Sequence, residues 1–428
     1  MDKAILIIST LDTKWQEISY LKELIEQEGH ATTLLDMSTL GESPIKADIT
    51  REDVAMAGGI DIKKLSASGK NRDEITEIFV KGTIIKVREL LLSHKLGGII
   101  GIGGVTNTGT ATEVMKSLPF GIPKLMVSSG AAMPQYAGRF FGSADITMFS
   151  SVVDIAGLHE LSKNVLQRAA GAICGMVKTK AGSVIDALQQ SEKPLVAITQ
   201  FQYSEMCCDL VREKLEEKGY TIIPCHADGV GDKAMERLIE QGIFDGVIDI
   251  VPGGVSEQIL GGNRAAGQDR LESAGKIGLP QVLTPCGFEM ISCGPITRKD
   301  SNDPLWISRN IADRNYYVQD AFRVQARTTR EELEIVSKAF SDKLNKATGP
   351  VKLLIPSGGW SSLSVKGQAL YDPDADRLFI QKIRDQLKPG IKILEFDFPL
   401  NSNEFAIAVV DAFTEILNVN DIFKDRSR

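Results

Sequence analysis

Two stretches of this sequence can be laid over each other without a gap at a constant offset of 190 residues. Residues 5–29 begin ILIISTLDTKWQEIS and residues 195–219 begin LVAITQFQYSEMCCD, so that Ile5 falls on Leu195, Leu11 on Phe201, Glu26 on Glu216 and Gly29 on Gly219. Each reads as an apolar run, a polar loop, apolar residues at helical spacing, and a glycine where the chain leaves the helix. Two more segments recur in the same order: LGGIIGIGGV at 96–105 matches FDGVIDIVPGG at 244–254, and GIPKLMVSSG at 121–130 matches GLPQVLTPCG at 278–287. Any two strand-helix units would share one such segment; three in order point to a chain that folds twice into the same architecture. The apolar runs lack the alternation of a half-solvated strand, so both faces should be buried, as in a parallel sheet covered by helices. The expected fold is α/β, with two Rossmann-like domains of mainly parallel sheet over residues 1–180 and 193–428 and a cleft between them.

Within the first repeat, Thr13 and Gln16 form a capping-box pattern, and Trp15, Ile18, Leu21 and Ile25 share one helical face. A longer helical period runs from Ile155 through Leu158, Leu161, Val165, Leu166, Ala169 and Ile173 to Met176. Its last turns carry small residues that would serve core packing or a homodimer seam. Residues 178–194 read as the linker. Residues 292–325 are polar and irregular, with Trp306, Tyr316 and Tyr317, and suggest a flap or binding loop. Thr329 with Glu332 caps a helix running to about Leu344.

Charge and composition exclude several classes of function. Lys plus Arg is 49 against 56 Asp plus Glu, with no long basic block, which argues against a nucleic-acid surface. No apolar run approaches the roughly 18–20 residues needed to cross a bilayer, and the start MDKAILIIST lacks a signal peptide's pattern, so a cytoplasmic protein is expected. The six cysteines include no CxxC pair and read as buried thiols.

In parallel α/β sheets, ligands bind beyond the carboxyl ends of the strands, where helix N-termini offer free N–H groups and a favourable dipole to anions. The expected corners of the first domain are residues 9–14, 101–110 and 127–136. The second is the richest. Gly101, Gly103, Gly104 and Gly109 would let a ligand approach the backbone, Thr106, Asn107, Thr108 and Thr110 would donate to it, and Thr110 with Glu113 would cap the following helix. The stretch is neither a Walker loop nor a GxGxxG fingerprint, and its bland reading is a tight turn. Thr10, Asp12, Thr13 and Lys14 would lie one loop away, with Asp12 facing a sugar hydroxyl or a magnesium ion, or simply capping its helix. Ser128, Ser129 and Gly130 would form a third wall, or only a turn.

Acid-base candidates gather in the second domain. His226, Asp228, Asp249, Glu257, Cys286 and Glu289 fall at expected strand ends. A second functional reading is thus a metabolic enzyme acting on a small anionic substrate in the cleft, with His226 as acid-base and Glu289 or Glu257 as its carboxylate partner. A metal site from His226, Asp228 and Glu257, or a Cys286 nucleophile activated by His226, lacks any supporting spacing.

The segments GIGGVTNTGTATEVMKSLPFGIPKLMVSS, SADITMFSSVVDIAGL, PLVAITQF, HADG, DRLESAGKIGLPQVL and YDPDAD together resemble uncharacterised protein family 0261. This is the two-domain family that includes the ATP-binding N-terminal region of the tomato mosaic virus resistance protein. The resemblance spans essentially the whole chain. It implies two Rossmann-like domains, a homodimer or higher oligomer, and a first domain that binds ATP. The family's first loop falls on Thr10 to Lys14 and its glycine-rich loop on Gly103 to Thr110, where Val105, Thr106 and Asn107 replace a more glycine-rich run. In the second domain, DIVPGG at residues 249–254 departs from an acid-bearing DLTTTE-like loop.

Overall fold

The computed structural model describes residues 3–65, 68–179, 191 and 193–417. The chain divides into two compact units, Met1–Ala187 and Leu188–Arg428. Most of the expected linker lies outside the described residues.

The first unit runs β1 (Ala4–Ser9), α1 (Leu11–Gln27), β2 (Thr32–Asp36), α2 (Arg51–Gly58), α3 (Arg72–Leu92), β3 (Leu96–Gly103), α4 (Val105–Lys116), β4 (Lys124–Ser128), α5 (Pro134–Phe141), β5 (Thr147–Ser150) and α6 (Glu160–Lys178). Its five strands stand in the order β2-β1-β3-β4-β5, every pair parallel. The continuous apolar runs explain the layering. In β1, Ile5 and Ile7 pack with α1 and α6, whereas Leu6 and Ile8 pack with the cluster that takes in α2, α3 and α4. All four are wholly buried, each contributing roughly 1.5–3 kcal/mol.

The second unit runs β6 (Leu195–Gln200), α7 (Glu205–Glu217), β7 (Thr221–His226), α8 (Val230–Glu240), β8 (Gly246–Asp249), α9 (Gly254–Leu260), α10 (Ser273–Lys276), β9 (Gln281–Leu283), β10 (Met290–Ser292), α11 (Pro304–Ser308), β11 (Tyr316–Val318), β12 (Val324–Arg327), α12 (Arg330–Asn345), β13 (Val351–Pro356), α13 (Pro373–Gln386), β14 (Lys392–Phe396) and α14 (Asn403–Ile416). Its six-stranded parallel sheet has the order β14-β13-β9-β8-β6-β7. Read from β7, this is the first unit's order with one strand added. The fold is thus two Rossmann-like α/β units with mainly parallel sheets. Gly29 and Gly219, the aligned helix exits, share positive φ values of 84° and 90°, as the repeat predicts.

Several local expectations fail for identifiable reasons. α1 begins at Leu11, two residues before the anticipated Thr13 cap, because groups at the end of β2 and just beyond it satisfy its first N–H donors. The Asp36 carboxylate accepts from Leu11 N (3.2 Å) and Ser38 Oγ from Asp12 N (3.0 Å). Ile18, Leu21 and Ile25 are buried, but Trp15 is 37% exposed. α4 begins directly after Gly104, so Thr110 lies inside the helix, bonding back to Thr106 O and Asn107 O instead of capping. α6 starts after His159, whose ring accepts from Ser162 N, leaving Ile155 and Leu158 outside it. Residues 292–325 are not an irregular flap: β10, β12 and β11 form a small antiparallel sheet, and Trp306 is buried with Nε1 donating to Cys293 O (2.8 Å). The Thr329–Glu332 capping box forms and starts a helix to Asn345. No helix of the described residues is long and apolar enough to cross a membrane.

A buried cation ties together several acidic groups at the carboxyl edge of the second unit. Arg270, 1% exposed, donates to Asp232 (2.8 Å) and Glu236 (3.2 Å) of α8 and to Asp249 (2.9 Å) at the end of β8. Burial pushes the Asp232 carboxyl up and Arg270 opposes it. Removing one partner strands buried charge, so Arg270→Met should cost about 3–5 kcal/mol. The check is urea unfolding followed by the fluorescence of Trp306 and Trp360, and the loss should shrink as pH falls and Asp232, whose carboxyl burial pushes up, protonates.

Candidate functional site

The strand order of the first unit creates a switch point between β1 and β3. From these neighbours the chain leaves to opposite faces, α1 to one layer and α4 to the other, which opens a crevice at their carboxyl ends. Each helix brings an N-terminus there, but only one is available. At α1, Leu11 N and Asp12 N are taken by Asp36 and Ser38, and Thr13 N and Lys14 N bond Thr10 O. The capping carboxylate would also repel an anion.

At α4 the opposite holds. Gly104 is the N-cap, has extended backbone and makes no side-chain cap bond; the first N–H with a protein partner is that of Thr108, bonded to Gly104 O at 2.8 Å. Among the described residues, no group accepts from the N–H groups of Val105, Thr106 or Asn107. A Cβ placed on Gly104 would meet only Ser129 Oγ, at 3.7 Å, so the approach is open.

A cavity of about 350 Å³ lies over this turn, at the small end of the usual range for ligand sites. Gly104, Thr106, Asn107 and Thr110 line one side and Thr10, Asp12, Thr13 and Lys14 the other. Asn107 Nδ2 donates to Thr10 Oγ1 (2.8 Å), tying the loops after β1 and β3 together. Asp12 Oδ2 accepts from Gly41 N (3.1 Å), while Oδ1 is buried and has no partner among the described residues. The Lys14 ammonium donates to Ile155 O, and the Thr106 side chain is exposed.

The other expected residues stand behind or beside this cavity. Thr108 and Ser128 are wholly buried and share a hydrogen bond of 2.6 Å. Gly103 is buried against Asn107, and Gly130 donates its N–H to Ser128 Oγ. Ser129 is exposed but does not line the cavity, and Gly109 lines an adjoining groove. Helix phase causes the separation: once residues 105–110 are helical, successive side chains turn by about 100°, so Thr106 and Thr108 cannot both face one ligand. Sequence reasoning also missed Arg72, which lines the cavity from the first turn of α3 and forms no ion pair among the described residues. Only the packing of α3 beside α4 brings it there, and no local pattern signals that.

In the second unit the three acid-base candidates are differently placed. His226 is exposed at the end of β7, and among the described residues its side chain has no hydrogen-bond or ion-pair partner. Glu257 is fully buried, accepts from Arg264 at 2.7 Å and from Ser292 N at 2.9 Å. Glu289 is also fully buried, accepts from Gly287 N at 2.7 Å, and burial raises its pKa. Cys286 is buried too, and burial pushes its thiol well above the usual range, the state of an inert cysteine. Among the described residues there is no cluster of three or more His, Cys, Asp or Glu that could hold a metal.

Comparison with known proteins covers both units. The model of the uncharacterised protein family (UPF0261) N-terminal domain matches residues 3–182, and that of its C-terminal domain residues 193–417. A UPF0261 protein of Clostridium tetani is 36% identical over 96% of this chain and 98% of its own length. The ToMV resistance protein Tm-1(GCR237) of Solanum lycopersicum is 30% identical over 96% of this chain, which spans 55% of that longer protein. Among solved structures, a UDP-N-acetylglucosamine 2-epimerase from Rickettsia bellii aligns over 66% of this chain and 78% of its own. At 13% identity and a TM-score of 0.22, that likeness carries no argument.

The capping of α1 gives a direct test of this local architecture. Asp36, 2% exposed, accepts from Leu11 N, Ser38 N and Ser38 Oγ. Asp36→Ala leaves these donors unpaired in the interior and should lower stability by about 1–3 kcal/mol, read as a lower urea midpoint.

Proposed function

The chain belongs to the uncharacterised protein family UPF0261, and from that premise and the open turn at residues 104–107 we propose that its N-terminal domain binds a nucleotide by its phosphates, ATP being the ligand the resemblance suggests. One observation carries the reading. Of the two helix N-termini at the switch point, that of α4 keeps its first N–H groups unspent and faces a cavity, whereas that of α1 is capped by a carboxylate.

The side chains around the turn suit the same ligand. Unspent N–H groups and the positive end of the helix dipole favour phosphate oxygens. Thr106 adds a hydroxyl donor, and Arg72 a guanidinium able to bind two phosphate oxygens at once. Asp12 lines the cavity, and its carboxylate would be the hard oxygen ligand that a phosphate-bound magnesium ion requires. Such an ion would balance the carboxylate against the phosphates, and Thr10 and Thr13 line the cavity with Asp12.

The test is calorimetric titration with ATP, with and without magnesium. Thr106→Glu places a negative charge in the first turn of α4, which suits the helix but opposes an anion. It should keep the melting temperature and weaken ATP binding at least about tenfold, or about 1.4 kcal/mol. Asp12→Asn should reduce the part of the affinity that depends on magnesium. Wild-type protein that fails to bind ATP at millimolar concentration, or a Thr106→Glu variant with unchanged affinity, rejects the reading.

A further inference from the structure

Beside the polar cavity runs a larger groove of about 690 Å³ between α3, α4 and α5. The two are continuous: Arg72, Thr76, Val105, Thr106 and Thr110 line both. Their chemistry differs. The groove adds an apolar surface from Val80, Ile84 and Ile85 of α3 and from Tyr136 and Phe140 of α5. Tyr136 is 38% exposed, and its ring lies 6.1 Å from that of Phe140, centroid to centroid.

A glycine lines this groove where none is needed for the backbone. Gly109 lies within α4, where glycine weakens a helix. Close packing explains two helical glycines of this layer, since a Cβ on Gly82 would lie 1.9 Å from Val54 O and one on Gly58 would lie 2.2 Å from Ile78 O. Gly138 of α5 and Gly171 and Gly175 of α6 have open space around them, but of these five and Gly109 only Gly109 lines the groove. At Gly109 the nearest atom to such a Cβ is Phe140 Cε1, at 3.9 Å. No neighbour forbids a side chain there, and a side chain would instead fill the groove.

We propose that this groove receives the planar base of the nucleotide whose phosphates sit on the first turn of α4, and that Gly109 keeps the space for it open. The inference rests on the phosphate reading above and deepens it. A flat ring suits the partly exposed Tyr136 and the aliphatic wall of Ile84 and Ile85.

The experiment compares ATP with inorganic tripolyphosphate, which carries the phosphates and no base, by calorimetry on the full chain. Wild-type protein should bind ATP at least tenfold more tightly than tripolyphosphate. Gly109→Leu should bring ATP down toward the tripolyphosphate value and leave tripolyphosphate unchanged. Tyr136→Ala should do the same more weakly. Leucine is the better helix former, so a melting temperature held or raised in Gly109→Leu shows that the variant folds. Equal wild-type affinities for the two ligands, or ATP affinity untouched in both variants, overturns the base subsite while the phosphate reading stands. So does an equal loss of both ligands in both variants, which would mean that the groove acts on the phosphate turn itself. If neither ligand binds wild-type protein, the phosphate reading fails and the base subsite falls with it.

Discussion

Burial of β1 and β3 on both faces is the constraint from which the rest of the first unit follows. A strand with apolar side chains on each side needs a helical layer above and another below. Ile5 and Ile7 meet α1 and α6, and Leu6 and Ile8 meet the opposite layer. With β1 and β3 adjacent in a parallel sheet, the helices that follow them diverge to different layers. Their N-termini thus arrive at one edge from two directions, and the crevice between them is a consequence of core packing.

The second unit repeats the topology and closes the equivalent place. Its counterpart of α4 is the short α9, and residues 249–257 are buried throughout. A Cβ on Gly253 would lie 3.1 Å from Gly287 Cα, and one on Gly254 would lie 2.5 Å from Ala266 Cβ, so the loop packs directly on its neighbours. Arg264 and Arg270 neutralise the carboxylates nearby. Charge that could have faced a ligand here is spent on internal ion pairs, which are costly to bury and stable only when complete. Shared topology therefore does not mean shared chemistry: the same edge can be left open or packed, depending on side chains that the strand order does not determine.

This contrast marks what could be read in advance. Elements and their order were legible because they rest on local periodicity and on repeated segments; Ile5 on Leu195 and Gly29 on Gly219 are backbone statements that hold in both units. The loops at the β1 and β3 ends were legible for the same reason. Which side chains face the cavity was not. Thr106 and Thr108 look equivalent in TNTGT, yet one is exposed and the other wholly buried against Ser128. The start of α1 was misplaced because its donors are satisfied by Asp36 and Ser38, some 25 residues further along the chain. Arg72 enters from a helix with no sequence relation to the loops it joins. These are all long-range contacts, and pattern reading sees only near neighbours.

The glycines of the first unit show how the same residue records different constraints. Gly58 of α2 and Gly82 of α3 allow the two helices to touch backbone to backbone: Gly82 faces Val54 O and Gly58 faces Ile78 O. That crossing sets where α3 lies, and so where Arg72 at its first turn can reach. Gly104 leaves the start of α4 uncovered, and Gly109, one and a half turns later, leaves space beside it. Two glycines thus bring helices together and two leave surface free, all within the layer that includes α2, α3 and α4. A larger residue at either of the first two would push α3 outward and widen the crevice, so the dimensions of the cavity over α4 depend on a helix contact that no ligand would touch.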